Sequence, residues 1–432
     1  MVEVESAAGR SAGPGLLRDH DFVSVLVGQG VSAMGSAVTM VAMPLLVLLV
    51  TGSGLLMATV GILETAPDLL FGLLAGAYAD RWDRRRVMIV ADAGRAILTA
   101  LIPLAVIVGL PPVPVIFIVV GPINMLRVMF SAAQNASVPA LAGRDRLNAA
   151  SGYFEAVWGL GYVLGPALAG MLIALVGPGP TIAIDAASFA FSAGSVAMVR
   201  RSLVPPRSEE PRRRVLHEVR EGIGFVWRHR TLRLTIAYYA SLSLLMAPFV
   251  PAFTYFLVRD RGMDSSGLGV MISVFSIGMV IGAVVATRLK NGRLGLRMLA
   301  STALLGAGLA IGRLMPSAAA LGALGLAVGG AWTVVEVSYV TIRLGASPEA
   351  LLGRVATVAH TASVGVQPIG MLAGGLLIDR VGGGATLAAM GLASVAMALA
   401  FGLIGSVRRA RAEVAEPSAP PSTLQTTYQE AG

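Results

Sequence analysis

Apolar runs of about 20 residues, each long enough to cross roughly 30 Å of hydrocarbon as a helix, recur along nearly the whole chain. They cover residues 22–50, 54–79, 87–110, 113–137, 148–175, 179–200, 232–257, 267–289, 295–315, 317–344, 354–378 and 383–406. Short polar or glycine-rich breaks separate them. The pattern predicts an all-α membrane protein of twelve transmembrane helices.

The longest polar interruption, "RRSLVPPRSEEPRRRVLHEVREGIGFVWRHR", falls near the middle and divides the helices six and six. The reading is a flexible N-terminal segment (1–17), an N-terminal six-helix bundle (18–200), a linker (201–230), a C-terminal six-helix bundle (231–406) and a disordered tail (407–432) rich in Pro, Ser, Thr and Glu. Apolar residues at helical spacing from Val215 to Trp227 fit a surface helix lying along the membrane, and a plain linker fits equally. Residues 1–17 contain Glu3 and Glu5 and lack the basic-then-apolar order of a signal peptide. "LAGMLIALVG" from Leu168 recurs as "LAGGLLIDRVG" from Leu372, about half a chain later. Parallel six-helix repeats of this kind build many secondary transporters, with a substrate site between the halves near mid-membrane.

Composition agrees with the pattern: 55% of the 432 residues are hydrophobic and the mean hydropathy is +0.76. Cysteine is absent, which excludes disulfides, thiolate chemistry and Cys-based metal sites. The net charge of +9 reflects topology rather than nucleic-acid binding. Alternate breaks hold Arg81 to Arg86, Arg144, Arg146, Arg288 and Lys290, whereas "VTGSG", "GLPPVP" and "VGPGPT" carry no charge. The positive-inside rule places the arginine-rich side, and both termini, in the cytoplasm of a multi-pass protein of the cytoplasmic membrane.

One break is unusual. Asp80 to Arg86 packs six charges into seven residues, although only 13% of the chain is charged. A topogenic anchor accounts for its arginines but not for Asp80 and Asp83, since acids contribute little to orientation. Nor does it account for Gly72 and Gly76, one turn apart on the face leading to Asp80, where missing side chains admit another helix. G-x-x-x-D-R-x-x-R-R between the second and third of twelve helices resembles the signature loop of the major facilitator superfamily. "DRWDRRRV", with "ADAGRA" in the third helix and "IDAASFAFSA" in the sixth, resembles the branch of siderophore exporters and macrolide efflux proteins. The resemblance covers all twelve helices. It implies two pseudo-symmetric bundles in the major facilitator fold and a conformational latch, with Gly76 permitting the contact, Asp80 as its acid and Arg81, Arg84 and Arg85 as basic partners. Asp83 stands where the family usually has glycine. "GYVLGPALAG" from Gly161 resembles the antiporter motif of the fifth helix, which the family associates with export. Gly161, Gly165 and Gly170 there allow tight packing, and Pro166 makes the helix bendable.

Ionisable residues inside a membrane cost about 2.5 to 3.5 kcal/mol at the helix centre and face a cavity or a partner. Asp68, Asp92, Arg95, Arg127, Glu155, Asp185 and Glu336 are in this position. Glu64 and Asp68 share one side of the second helix, and Asp92 with Arg95, three apart, form a mutually neutralising structural pair. Polar stripes at helical spacing point toward a shared interior: Gln29, Ser32 and Ser36; Asn124, Arg127 and Gln134; Glu155 and Trp158; Trp332, Glu336, Tyr339 and Arg343; His360 and Gln367. An aromatic face with a carboxylate suits an amphipathic organic molecule. Arg127 resembles the fourth-helix arginine that the family links to proton transfer, and is expected near Glu155. At least one of Asp68, Glu155 and Glu336 is expected to carry a coupling proton, with Na⁺ the alternative ion.

No metal-ligand cluster and no phosphate-binding loop is present, so no cofactor and no ATP drive are expected. The expected function is secondary transport, not enzymatic catalysis: proton-coupled export of an antibiotic, siderophore or own metabolite by a monomer working by alternating access. An importer or facilitator of the same fold is the first alternative, and a membrane-embedded enzyme or receptor the second. Substrate, protons and the lipid bilayer are the expected partners, and nucleic acid is not.

Overall fold

The computed structural model describes residues 15–79, 82–204, 213–289, 291–348 and 351–411, and every regular element among them is a helix. The first half comprises α1 (His20–Thr51), α2 (Gly54–Ala79), α3 (Arg84–Ile107), α4 (Pro112–Ala142), α5 (Leu147–Val176) and α6 (Pro178–Ala197). The linker forms α7 (Arg213–Arg228). Arg354 donates to Glu221 at 2.7 Å, joining α7 to α13 (Leu352–Gly365) of the second half. Of the two linker readings, the helical one is found.

The second half contains α8 (Arg230–Met246), α9 (Phe249–Tyr255), a π-turn (Phe256–Asp260), α10 (Ser265–Arg288), α11 (Leu294–Gly312), α12 (Ala318–Gly345), α13, α14 (Gln367–Val381) and α15 (Gly383–Gly402). One further turn, α16 (Gly405–Arg408), follows. Two predicted spans are thus broken. The seventh divides at Ala247 and Pro248, and the eleventh at Val366 before Pro368, where proline removes a backbone donor. The two breaks lie together, since Gly374 packs on the Pro248 ring and Gly370 on the Leu244 carbonyl.

Ten helical stretches among the described residues are long and apolar enough to cross a membrane. α5 and α6, of 30 and 20 residues, occupy the other two predicted spans. Asp185 and a run of serines dilute the apolar character of α6, and all of them are buried against neighbouring helices.

Helix packing obeys a twofold pattern. In the first half α6 lies between α1 and α3, α4 between α3 and α2, and α5 beside α1. In the second, α15 lies between α8/α9 and α11, α12 between α11 and α10, and α13/α14 beside α8. Each helix of one half therefore has the neighbours of its counterpart six spans later. The halves meet through two symmetry-related pairs, α2 with α14 and α5 with α10.

Local chemistry fixes the ends. Asp19 caps α1 by accepting from the Asp21 and Phe22 amides, and Gly52, at φ 67°, closes it in the left-handed region. Asp83 caps α3 through the Arg85 amide at 3.0 Å. Asp264 and Ser317 cap α10 and α12. The Asp21 carboxylate accepts from the amides of Arg200 and Arg201 at 3.0 and 2.9 Å, so the exit from α6 is tied to the entry of α1.

Candidate functional site

Two ends of the bundle are distinguishable. The basic end carries the starts of α1, α3 and α5 and the arginines around them; the opposite end carries the uncharged turns.

At the opposite end the halves are bonded together. Asp379, near the end of α14, accepts from the Ser53 hydroxyl at 2.9 Å, the Gly54 amide at 2.5 Å and the Leu55 amide at 3.2 Å. A carboxylate of one half thus caps the first turn of α2 in the other, where unsatisfied N–H groups and the helix dipole favour an anion. Arg259 adds a bond to the Leu48 carbonyl at 3.4 Å. Close approach depends on glycine: a Cβ on Gly375 would lie 2.7 Å from Ala58 Cβ and 2.9 Å from Leu55 Cα. Gly375, Asp379 and Arg380 repeat the spacing of Gly76, Asp80 and Arg81 on the partner helix of the same pair.

The antiporter-motif helix supplies the second junction. Gly161 and Gly165 pack on Ala33 and Ala37 of α1, and a Cβ on Gly170 would lie 2.7 Å from Gly269 Cα in α10. Pro166 lies within α5. Gly170→Val is expected to separate α5 from α10 and at least halve the transport rate while membrane insertion persists; transport in vesicles with equal protein content checks it.

At the basic end, Arg84 donates to the Ala136 carbonyl at 2.8 Å, and Arg85 donates to the carbonyls of Val196, at 3.4 Å, and Ala197. Both arginines therefore secure the final turns of α4 and α6 within their own half. Gly76 lies in α2, and Asp80 and Arg81 lie outside the described residues.

Between the halves, among α1 and α8 to α12, is a cavity of about 310 Å³. Met40 and Val41 of α1 form one wall, and Met246, Phe249, Phe253, Phe275 and Trp332 form much of the other. Thr254 and Ser276 also line it, and none of the described residues lining it is charged. A flexible thioether and aromatic surface accommodates apolar bodies of different shapes.

The predicted stripes divide. Trp332 lines the cavity, whereas Tyr339 is buried and stacks on Tyr239 at 3.9 Å between ring centroids. Arg343 sits 5.5 Å above the Tyr339 ring. Glu336, His360, Glu155 and Trp158 are exposed, and Gln367 is half-buried. The α1 stripe lies elsewhere than the expected interior: Gln29 donates to Ser192 at 3.3 Å, Ser36 to Asp185 at 3.4 Å, and Ser32 is buried, so this stripe faces α6. Small polar side chains here serve helix packing.

Arg127 also departs from expectation. It is paired with Asp68 of α2 at 2.5 Å rather than with Glu155, and its Nε donates to Asn124 Oδ1 at 3.0 Å. Asp92 and Arg95 do form the expected pair, at 3.0 Å, and the Arg95 guanidinium lies 3.7 Å from the centre of the Phe189 ring. Sequence reasoning missed the cavity's Phe and Met residues and Asp379. The former look like lipid-facing side chains, but the D-R dipeptide after glycine was a usable signal for the latter.

A family model described as Major Facilitator Superfamily matches residues 25–364. The chain is 31% identical over 371 residues to the multidrug efflux pump Tap of Mycolicibacterium fortuitum, covering 83% of this chain and 89% of that protein. Macrolide efflux protein A of Streptococcus pyogenes is 25% identical over 404 residues, covering 90% and 96%. Among solved structures, the nucleoside transporter NupG superposes with a TM-score of 0.72 at 12% identity, over 89% of this chain and 98% of that one.

Proposed function

Since the chain belongs to the Major Facilitator Superfamily, what remains open is its cargo and its energy source, and we propose that it exports an amphipathic organic molecule in exchange for protons. The observation that carries this reading is the uncharged, aromatic and methionine-lined cavity between the halves. Such a surface recognises apolar area without demanding one hydrogen-bonding pattern. Two relatives named as efflux proteins support the outward direction.

With the arginine-rich end in the cytoplasm by the positive-inside rule, the protein sits in the cytoplasmic membrane with both termini inside. The halves are then joined on the outer side by Asp379 and by the α5–α10 contact, which supports reading this state as the one closed to the outside in an alternating-access cycle. Asp80 with Arg81 would latch the inner side in the other state, with Gly76 admitting the contact and Arg84 and Arg85 holding the helix ends beside it. Protons would enter through carboxylates of the membrane interior, Asp68 with Arg127 foremost, and through Glu155 and Glu336 at the water-exposed positions. One chain carries both bundles and the cavity between them, which supports a monomer as the working unit.

The test is accumulation of ethidium and of erythromycin in cells with and without the protein, each with and without a protonophore. Protein-dependent depletion that the protonophore abolishes is expected. Protein-dependent accumulation identifies an importer, and depletion indifferent to the protonophore identifies another energy source. Trp332→Ala is expected to raise the half-saturating ethidium concentration about tenfold or more, since a buried aromatic contact is worth roughly 1.5 to 3 kcal/mol; concentration-dependent efflux measures it.

A further inference from the structure

The first half contains a buried charge cluster that the cavity does not touch. At the junction of α1, α3 and α6, Asp92 is 0% exposed, Asp185 3% and Arg95 6%. Asp92 takes the guanidinium at 3.0 Å, and Arg95 lies within electrostatic reach of Asp185 as well. The remaining charge facing the cluster is Arg127 of α4, already paired with Asp68. α1 contributes hydroxyls there, from Ser36 and Thr39, and no charge. Two carboxylates therefore share one guanidinium in a buried three-helix junction. Ionising both would leave a buried net charge without a partner, which low-dielectric surroundings strongly disfavour.

The position of the one cation says which acid is neutral. Among the described residues Asp185 Oδ1 is met by hydroxyls, Ser188 Oγ at 3.2 Å and Ser36 Oγ at 3.4 Å, and by no cation at bonding distance. Asp92, by contrast, faces the donor of an arginine. We propose that Asp185 is a proton-binding site: in the state shown its carboxyl holds a proton among the hydroxyls of Ser36 and Ser188, while Asp92 stays ionised against Arg95. The proton is taken from water and returned to water, with no other bond made or broken.

Its position gives it a use. Ser36, which touches Asp185, stands one helical turn from Met40, which lines the cavity. A molecule filling the cavity bears on the helix segment that covers the carboxyl. A small shift of α1 that brought Asp185 onto Arg95 would expel the proton, because the opposite charge favours the ionised form. As the exchanged proton of an exporter this site rests on the proton-coupled reading above; as a bound proton it does not.

Infrared spectroscopy of the purified full-length protein separates the two. The carboxylic-acid C=O band at neutral pH is expected to lose one component in Asp185→Asn. Ser188→Ala, a small change that leaves the helix intact, is expected to move that component to higher frequency by removing its hydrogen bond. A spectrum unchanged in both Asp185→Asn and Ser188→Ala shows Asp185 ionised and overturns the proposal. In proteoliposomes, proton movement on ethidium addition is expected to fall at least twofold per ethidium in Asp185→Asn; an unchanged ratio removes Asp185 from the exchange. If wild-type vesicles move ethidium without protons, the proton-coupled reading fails, and the infrared result still decides whether Asp185 binds a proton.

Discussion

Asp379→Asn is expected to open the outer end of the bundle. The carboxylate accepts three hydrogen bonds at the first turn of α2, two of them from backbone N–H groups that otherwise have no partner inside the helix. Hydrogen bonds to a charged group contribute about 1.5 to 3 kcal/mol each when buried. Here the Ser53 and Leu55 bonds are exposed to solvent, so a total of about 1.5 to 3 kcal/mol is the appropriate scale for all three. That shifts the balance between the two states by roughly ten- to a hundredfold. The absence of native cysteine supplies a clean reporter: Ser276→Cys in the cavity wall is the sole thiol. Its modification by a membrane-impermeant reagent added outside should be at least tenfold faster with Asp379→Asn than without it. Equal rates would show that the α5–α10 contact alone holds the outer side closed. Gly375→Leu should act in the same direction, because its side chain would enter the space of Leu55 and Ala58.

This junction shows what the sequence made legible and what it did not. Twelve apolar runs and their division in the middle were plain, since hydropathy over 20 residues does not depend on partners. The pairing of α2 with α14 did depend on them. Asp379 sits in a stretch that resembles the one from Leu168 in the first half, whereas its spacing from Gly375 matches Gly76 and Asp80 instead. The α1 stripe illustrates the converse error. Gln29, Ser32 and Ser36 have the periodicity of a cavity face, yet periodicity says only that they share a side, and that side meets the serines of α6. Phe249, Phe253, Phe275 and Met246 could not be told from lipid-facing residues, because lipid and an apolar cavity select the same side chains. Breaks at Pro248 and Val366 lay hidden inside unbroken apolar runs for a similar reason: hydropathy does not register a missing N–H.

The ion pair between Asp68 and Arg127 carries the other large effect. It joins α2 to α4 at 2.5 Å, and Asn124 fixes the guanidinium from the side while donating to the Val120 carbonyl at 3.0 Å. Both partners are about a third exposed, at 32% for Arg127 and 28% for Asp68. Breaking a fully buried pair from one side costs about 3 to 5 kcal/mol. Partial access to water reduces this to about 1 to 2 kcal/mol, enough to lower thermal stability measurably without preventing insertion. Asp68→Asn and Arg127→Gln should therefore each destabilise, and the double variant should regain part of the loss because neither charge is left alone. Transport should behave otherwise. If the acid takes up a proton as Arg127 is drawn away, neither single variant nor the double variant can couple a pH gradient to ethidium export, and pH-driven rates should fall at least tenfold in all three. Stability and transport measured on the same vesicles distinguish the roles. A double variant that recovers both would make the pair a structural strut, whereas one that recovers stability alone places the proton on Asp68 and makes Arg127 the group that releases it.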